Sequence, residues 1–288
     1  MLNHWFYSHS TWEVAGAVCT TVVVLPLLFL WIFHRLVHWH IREENTAMVG
    51  LSYALCGGIY AVVLAFVAVG TYEAMDKGAA IAGEEANSLG GLAFDSAGLP
   101  AALGLRLRAD VDSYIEIVTK KEWPSQQAYQ MQERNYEEGW AQVRRIGLDL
   151  AVFEPETKGQ ATVKAEMIHT VNELLSARRA RLLAASAHLP DAVWQMLIFG
   201  LGLVAVYVFL FGPHSYKLHM AVTGLTMLSV GLVFTLIIAL DYPFRGDLSV
   251  DDDAYLSVKE VSDRAFESDG TAAKARETHE EKKTNPND

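Results

Sequence analysis

The chain has 288 residues, of which 51% are hydrophobic and 20% charged, and its formal net charge at pH 7 is −11. This composition is too apolar for most soluble domains and too polar for a protein made only of membrane spans, so it indicates a mixture of both. The acidic balance argues against nucleic-acid binding, because neutralising phosphates requires a basic surface. Cys19 and Cys56 both fall inside apolar runs, which argues against a disulfide framework and against a thiolate metal site.

Two uncharged runs near the N-terminus predict a first pair of transmembrane helices. The run from Val14 to Phe33 is too long for the core of an ordinary signal peptide and has no basic leader, so it is predicted to be a retained span. Pro26 near its middle predicts a kink. After a polar link, a second run extends from about residue 47 to residue 72. The first predicted hairpin therefore covers residues 14–72 and follows an N-terminal segment of residues 1–13.

A second pair of uncharged runs predicts another hairpin at residues 191–241. The runs from Trp194 to Phe211 and from Met220 to Leu240 are each long enough, at about 1.5 Å per residue, to cross about 30 Å of hydrocarbon. No predicted span has Asp, Glu, Lys or Arg in its interior. Since proton-coupled transporters generally use such groups, a passive pore or a non-conducting scaffold is favoured over a transporter.

Residues 73–190 are rich in Glu, Gln, Arg and Ala and show helical periods between prolines. With an extension of the second span through Glu84, Glu85 and Leu89, they predict a four-helix, water-facing bundle. The fold class is therefore all-α, with two transmembrane helical hairpins (four spans) and a helical water-facing domain inserted between them. The apolar stripes of the three amphipathic helices are Leu103, Leu105, Val111, Tyr114, Ile115 and Val118; Tyr129, Tyr136, Trp140, Val143, Ile146 and Leu150; and Val163, Met167, Val171, Leu174, Leu175, Leu182 and Leu183.

The C-terminal part of the chain, residues 242–288, is predicted to be an interfacial exit followed by an acidic and largely disordered tail. The exit contains Pro243, Phe244, Arg245 and Gly246. Proline and glycine there predict a sharp helix stop, and the first interpretation of the segment is that it has only this structural role. Alternatively, Arg245 contacts Glu73, Asp76 or a neighbouring subunit and fixes a gate or an assembly.

Small residues recur on one face of each of two predicted spans. Their spacing of three and four residues lets another helix approach closely, and the same face could line a pore. Packing within one subunit is the simpler interpretation of both faces. The small residues are Ala54, Gly58, Ala61, Ala65 and Ala68 in the second span, and Gly224 and Gly231 in the fourth.

Titratable residues near the predicted membrane ends offer few candidates for chemistry. His34 and His38 are one helical turn apart and could share a metal ion, although histidines are common at such ends. Glu84 and Glu85 could gather cations or serve acid–base catalysis, but ion pairing or solvation explains them as well. The sequence contains no phosphate loop, nucleophile elbow or paired zinc motif. We therefore predict no enzyme activity and no cofactor.

The distribution of Lys and Arg gives a close result for membrane orientation. Arg35, Arg42 and Lys217 lie in the short links, whereas the N-terminus has neither residue type, which places the links in the cytoplasm and the central domain outside it. The arginines at 178, 179, 181 and 245 argue for the opposite orientation.

Several phrases of this sequence occur in a specific order and spacing: Glu84-Glu85-Ala86, Tyr114, Glu122-Trp123-Pro124, Phe153-Glu154-Pro155, Gly159-Gln160, Asn172, Arg178 to Leu182, Leu189-Pro190, Trp194 and Asp241 to Val250. Together they resemble the bestrophin-like membrane family, and the likeness extends from Val14 to about Tyr255. The resemblance implies two membrane hairpins around a helical insert and a distant relation to bestrophins, which are pentameric anion channels. Where other members have arginine before Pro-Phe, this chain has Tyr242.

Two functions follow from these features. In the first, the protein is a homo-oligomer in a bacterial cytoplasmic membrane and forms an ion pathway, for an inorganic anion, lined by the second or fourth span. In the second, it is a non-conducting scaffold or sensor whose helical domain binds a partner protein. The discriminating feature is whether the small-residue faces are used for packing within one subunit.

Overall fold

The computed structural model describes residues 9–36, 46–211 and 215–264 of the chain. Within these ranges it is predominantly helical and contains no β-strand. The all-α class predicted from the sequence is therefore confirmed. The predicted tail beyond residue 264, and His38 and Arg42 in the first link, lie outside the described residues.

Among the residues that the structure describes, eight α-helices, α1 to α8, precede a final helical stretch, α9, at 253–264. A 3₁₀ turn (Ser96–Gly98) follows α2, a π-helical turn (Val118–Glu122) joins α3 to α4, and a second 3₁₀ turn (Glu133–Asn135) precedes α5. The helices are α1 Thr11–Leu36, α2 Thr46–Asp95, α3 Ala101–Ile117, α4 Trp123–Gln127, α5 Glu137–Val152, α6 Lys158–Ser186, α7 Asp191–Leu210 and α8 Tyr216–Leu240.

Four helical segments of the described chain are long and apolar enough to cross a membrane. They are Thr11–Leu36, Thr46–Gly98, Lys158–Leu210 and Tyr216–Leu240. Each contains one of the predicted apolar runs, except that the third segment ends one residue before the run that was predicted to end at Phe211. Helix α1 continues through Pro26, and α2 continues past the predicted end of the second span, as the expected extension through Glu85 and Leu89 requires. The protein is an integral, multi-pass membrane protein.

The chain divides into two compact units. The first contains the described residues up to Lys77 together with Ala185–Val250, and so it holds the apolar parts of α1, α2, α7 and α8. The second contains Gly78–Ala184 and the described residues from Asp251 onward. The boundaries predicted from composition, at residues 72/73 and 190/191, remain a prediction about where membrane gives way to water.

The first unit has a hydrophobic core in which an aromatic residue of α2 packs against α7. Tyr60 is 8% exposed, and its hydroxyl donates a hydrogen bond of 2.7 Å to the carbonyl oxygen of Leu197. The ring lies against Gly200, where a side chain would have no room. Glycine is thus required at this position for the close approach of α2 and α7. The remaining core residues are Leu64, Leu197, Val204, Ala205, Val208, Met227, Phe234 and Ile237.

We expect Gly200→Ala to destabilise the first unit by about 1–3 kcal/mol, because the added methyl group would overlap the Tyr60 ring. Gly202→Ala is the matched control, since a methyl group there meets no atom within 4 Å. Thermal unfolding of the purified protein in detergent measures both variants. Equal melting temperatures for the two would contradict the close packing of α2 on α7.

The start of α1 is capped by side chains from two parts of the first unit. Ser10 and Glu13 form a capping box, in which the Ser10 amide donates to Glu13 Oε2 at 3.0 Å and the Glu13 amide donates to Ser10 Oγ at 3.3 Å. Asp247 Oδ2 accepts from the Thr11 amide at 2.8 Å. A carboxylate at this end also complements the helix dipole. The segment after α8 is thereby attached to the start of α1.

The second unit is built from the polar end of α2 with α3, α5, α6 and α9. Its buried residues confirm most of the predicted apolar stripes, including Val111, Ile146 and Leu174. Three assignments are wrong, because Leu105 is 59%, Tyr129 37% and Leu183 73% exposed. Leu105 lies one position from buried Gly104, and Leu183 lies two positions from buried Arg181 and Ala185, and each position rotates the side chain by about 100°. Tyr129 lies in the turn after α4, outside α5.

Candidate functional site

The small-residue face of α2 is open in the protomer. Ala54, Gly58, Ala61 and Ala65 are exposed, and Ala68 is partly buried. A Cβ atom added at Gly58 would meet nothing within 4 Å. This face is therefore left uncovered by the described residues of the same subunit.

The small residues of α8 have a different role, because they contact α1. A Cβ atom at Gly231 would lie 3.3 Å from the Cα atom of Cys19, and one at Gly224 would lie 3.8 Å from a methyl group of Leu27. Gly231 is also buried. The sequence could not distinguish the small-residue faces of α2 and α8. The structure distinguishes them, because the face of α8 packs against α1.

The four carboxylates proposed from the sequence differ in exposure. Glu73, Asp76 and Glu84 are exposed, whereas Glu85 is fully buried in the second unit. Glu84 is therefore solvated, whereas Glu85 forms an ion pair with Arg181. A shared acid–base role for the adjacent pair is unsupported by this arrangement.

The exit segment after α8 folds into a tight turn at the end of the span. Pro243, Phe244 and Arg245 are buried, and Gly246 has a φ angle of 84°, which favours glycine. The Arg245 guanidinium lies over the Tyr242 ring at 5.2 Å. Asp241 accepts hydrogen bonds from the Leu189 amide at 2.6 Å and from the indole nitrogen of Trp194 at 3.2 Å. The segment thereby joins the end of α8 to the start of α7.

The predicted histidine site has one member among the described residues. His34 is exposed and stacks on Tyr216, with ring centroids 4.5 Å apart. Within residues 9–36, 46–211 and 215–264 there is no group of three or more His, Cys, Asp or Glu side chains placed to hold a metal ion.

The most unusual feature of the second unit is a buried cluster of four charged residues, which we call the ion-pair cluster: Glu85, Glu122, Arg178 and Arg181. All four side chains are 0% exposed. Arg181 Nε lies 2.7 Å from Glu85 Oε2, and its Nη2 lies 2.7 Å from Glu122 Oε2. Arg178 Nη2 lies 2.5 Å from Glu122 Oε1. Two carboxylates thus balance two guanidinium groups in the core.

Three local features of the helices bring these four charged side chains together: the spacing of the arginines on α6, the π-helical turn before α4 and a glycine in α5. Arg178 and Arg181 are three residues apart on α6 and therefore share one face. Glu122 ends the π-helical turn Val118–Glu122, immediately before Trp123. Such turns insert one extra residue into a helix and are frequent at functional sites. Gly139 at the start of α5 leaves the space that Glu122 and Arg178 occupy, because a Cβ atom there would overlap both side chains.

Aromatic residues enclose the ion-pair cluster. Arg178 lies over Trp140 at 4.7 Å, and Arg181 lies over Trp123 at 5.8 Å. The Tyr114 hydroxyl accepts from Arg178 Nη1 at 2.8 Å and donates to Glu85. From α9, Tyr255 contacts Trp123 edge-on at 5.7 Å. These contacts exclude water, which makes the charge interactions stronger and the loss of any partner more costly.

Burial raises the pKa of the Tyr114 and Tyr255 hydroxyls well above the usual value, and that of Tyr136 to about 12. In each case the neighbouring glutamates add to the shift and the arginines oppose it. The three phenols remain protonated in the folded protein at a pH where unfolded tyrosines ionise. The stability that they contribute is therefore fully present below the unfolded pKa of about 10 and is lost at higher pH.

We expect the free energy of unfolding to fall above about pH 10, by up to about 1.4 kcal/mol per pH unit for each of these tyrosines. Tyrosinate absorbance during alkaline titration, combined with urea unfolding at each pH, measures the effect. Tyr114→Phe should reduce the slope. Constant stability between about pH 9 and about pH 11 would contradict the buried, neutral state of the phenols.

Comparison with known proteins places the whole arrangement in context. A family model described as "Bestrophin-like domain" matches residues 20–255. A crystal structure of a bacterial bestrophin homologue from Klebsiella pneumoniae, carrying one substitution, has a TM-score of 0.59 and 15% identity over 85% of this chain and 96% of its own. A second variant of a Klebsiella pneumoniae homologue has a TM-score of 0.59 and 14% identity over 86% and 95%. A search of curated proteins found no match. The structures share the fold with this chain.

Proposed function

Because this chain belongs to the bestrophin-like family, we propose that it forms a homo-oligomeric pathway for small inorganic anions across a bacterial cytoplasmic membrane. In this proposal α1 with α2, and α7 with α8, are two transmembrane hairpins around a water-facing helical domain. The lipid bilayer and further copies of the same chain are the partners. Likeness to bestrophins supports the anion, and the bacterial origin of the similar structures supports the membrane.

The observation that carries the proposal is the difference between α2 and α8. The small residues of α8 are used against α1, whereas Gly58 and its neighbours on α2 are exposed in the protomer. A smooth face that one subunit leaves uncovered suits close contact between subunits or the wall of a pore. Helix α2 is therefore the segment that we assign to the pathway.

Two measurements on the purified protein test the proposal together. The oligomeric mass is determined in detergent, and ion flux is measured in liposomes with sodium chloride gradients in both directions. A closed ring of subunits with chloride-dependent flux supports the pathway. A monomer or dimer without flux would instead favour a scaffold whose helical domain binds a partner protein.

The exit segment offers a separate test of assembly. If Arg245 pairs with Glu73 or Asp76 between subunits, Arg245→Glu should lower the oligomeric mass, and so should Glu73→Arg and Asp76→Arg. We expect one of the two charge-swapped double variants to restore the mass, because the swap re-forms the ion pair. Size-exclusion chromatography with light scattering measures each variant. Failure of both double variants would leave Arg245 with a local role in the turn.

A further inference from the structure

An open groove lies in the second unit between the end of α2, the start of α6 and α9. Its volume is about 710 Å³. Two glycines let these elements approach closely: a Cβ atom at Gly98 would lie 2.9 Å from a methyl group of Val163 on α6, and one at Gly90 would lie 3.5 Å from a methyl group of Val258 on α9. Most of the other lining side chains are apolar, among them Ala93, Phe94 and Val261.

Two of the apolar side chains on the wall of this groove are open to solvent. Phe94 is 82% exposed and Val261 is 66% exposed. Among the described residues that line the groove, Asp95 is the only charged one. An apolar occupant therefore suits the groove better than a charged one, because it would remove these two side chains from water without burying an unpaired charge.

Helix α9 leads the C-terminal part of the chain to the groove. Its start is fixed by Tyr255, which is fully buried and contacts the Trp123 ring edge-on at 5.7 Å. Near its end, Arg108 Nη2 donates a hydrogen bond to the carbonyl oxygen of Ser262, a residue that also lines the groove. The described part of the chain ends at Arg264, two residues later. The next residues of the sequence therefore begin beside the groove.

The sequence after Arg264 contains one large apolar residue, Phe266, since all the others in 265–288 are polar, charged, glycine, alanine or proline. Phe266 comes four residues after Ser262 and eight after Val258, and both of these line the groove. Residues four apart share one face of a helix, and a helical side chain covers the turn that precedes its own Cα atom. A continuation of α9 by less than one turn would put the phenyl ring over the groove.

We propose that Phe266 of the same chain occupies the part of this groove next to α9 and fastens α9 to the ends of α2 and α6. Burial of the ring against Phe94 and Val261 removes apolar surface from water, which drives the contact. The short connection from Arg264 keeps the ring at a high effective concentration. Holding α9 in place also keeps Tyr255 against the ion-pair cluster. The contact does not depend on the proposed ion pathway.

Photocrosslinking in the full-length protein tests the contact. Benzoylphenylalanine is incorporated in place of Phe266, and cross-linked peptides are mapped by mass spectrometry. We expect a cross-link within one chain to a peptide that contains Phe94 or Val163. Glu267 is the matched control position, because the next helical residue points about 100° away, and it should give no such cross-link. Cross-links between two chains would assign the groove to a second copy, and cross-links to detergent alone would leave the ring undocked; either result would overturn the proposal.

Thiol accessibility measures how completely the groove is covered. Cys19 and Cys56 are replaced by serine, and Ala97→Cys supplies an exposed thiol on the wall of the groove. Phe266→Ala should speed maleimide labelling about tenfold, which is the value of one buried phenyl ring after the cost of ordering its backbone. Phe266→Leu should restore most of the protection, and Glu267→Ala should leave the rate unchanged. An unchanged rate in Phe266→Ala would overturn the proposal.

Discussion

Replacing Arg178 with alanine is expected to lower the free energy of unfolding of the second unit by about 3–5 kcal/mol. The change removes a guanidinium group that is 0% exposed and leaves Glu122 bonded to Arg181 alone within the ion-pair cluster. A buried carboxylate that loses a partner still bears the free-energy cost of desolvation, but it loses part of the ion-pair attraction that offset this cost. Urea unfolding followed by tryptophan fluorescence reports on this unit, because Trp123 and Trp140 line the cluster.

The neighbouring residue provides the control. Arg179→Ala makes the same substitution one position along α6, where the side chain is exposed, and should change stability by no more than about 0.5 kcal/mol. The double variant Arg178→Met with Glu122→Leu removes one charge of each sign and should be less destabilised than the sum of its single variants. Equal effects at residues 178 and 179 would contradict the burial of the cluster.

The second large effect is expected at Gly58. Gly58→Leu places a branched side chain on the open face of α2, and in the proposed assembly it should weaken subunit association by about tenfold or more, which corresponds to about 1.4 kcal/mol. Chloride flux in liposomes should fall as subunit association weakens. Gly16→Leu is the matched control, because Gly16 is an exposed glycine of α1 with no atom within 4 Å of an added Cβ. Unchanged oligomeric mass and flux in Gly58→Leu would remove α2 from the pathway.

Much of the fold was predictable, because hydrophobic patterns in the sequence mark most of its helices. The four apolar runs predicted the membrane helices, since a bilayer requires about 20 apolar residues per span. The periods of residues 101–186 predicted the helices of the second unit. Helix α9 was not predicted, because its burial depends chiefly on Tyr255, which is 0% exposed in an acidic stretch. A single anchoring residue leaves no period in a sequence.

The ion-pair cluster was missed for a related reason. Arg178 and Arg181 were interpreted as charges near a membrane end, although they continue the buried stripe of Met167, Val171 and Leu174 on α6 at steps of four and three. This regular spacing on α6 was the feature of the sequence that could have indicated that the two arginines are buried. The partner Glu122 is more than fifty residues away in sequence, so the pairing follows from tertiary structure and not from local pattern. Similarly, only packing against α1 distinguishes the small residues of α8 from those of α2.

Ions are proposed to pass along the small-residue face of α2, and a cysteine at Ala61 tests this pathway most directly. Cys19 and Cys56 are first replaced by serine, and Ala61→Cys is treated in liposomes with a charged, membrane-impermeant methanethiosulfonate while chloride flux is recorded. If the face lines a water-filled pathway, the reagent reaches the thiol and stops the flux. Complete modification of Ala61→Cys, verified by mass spectrometry, with undiminished flux would contradict the account.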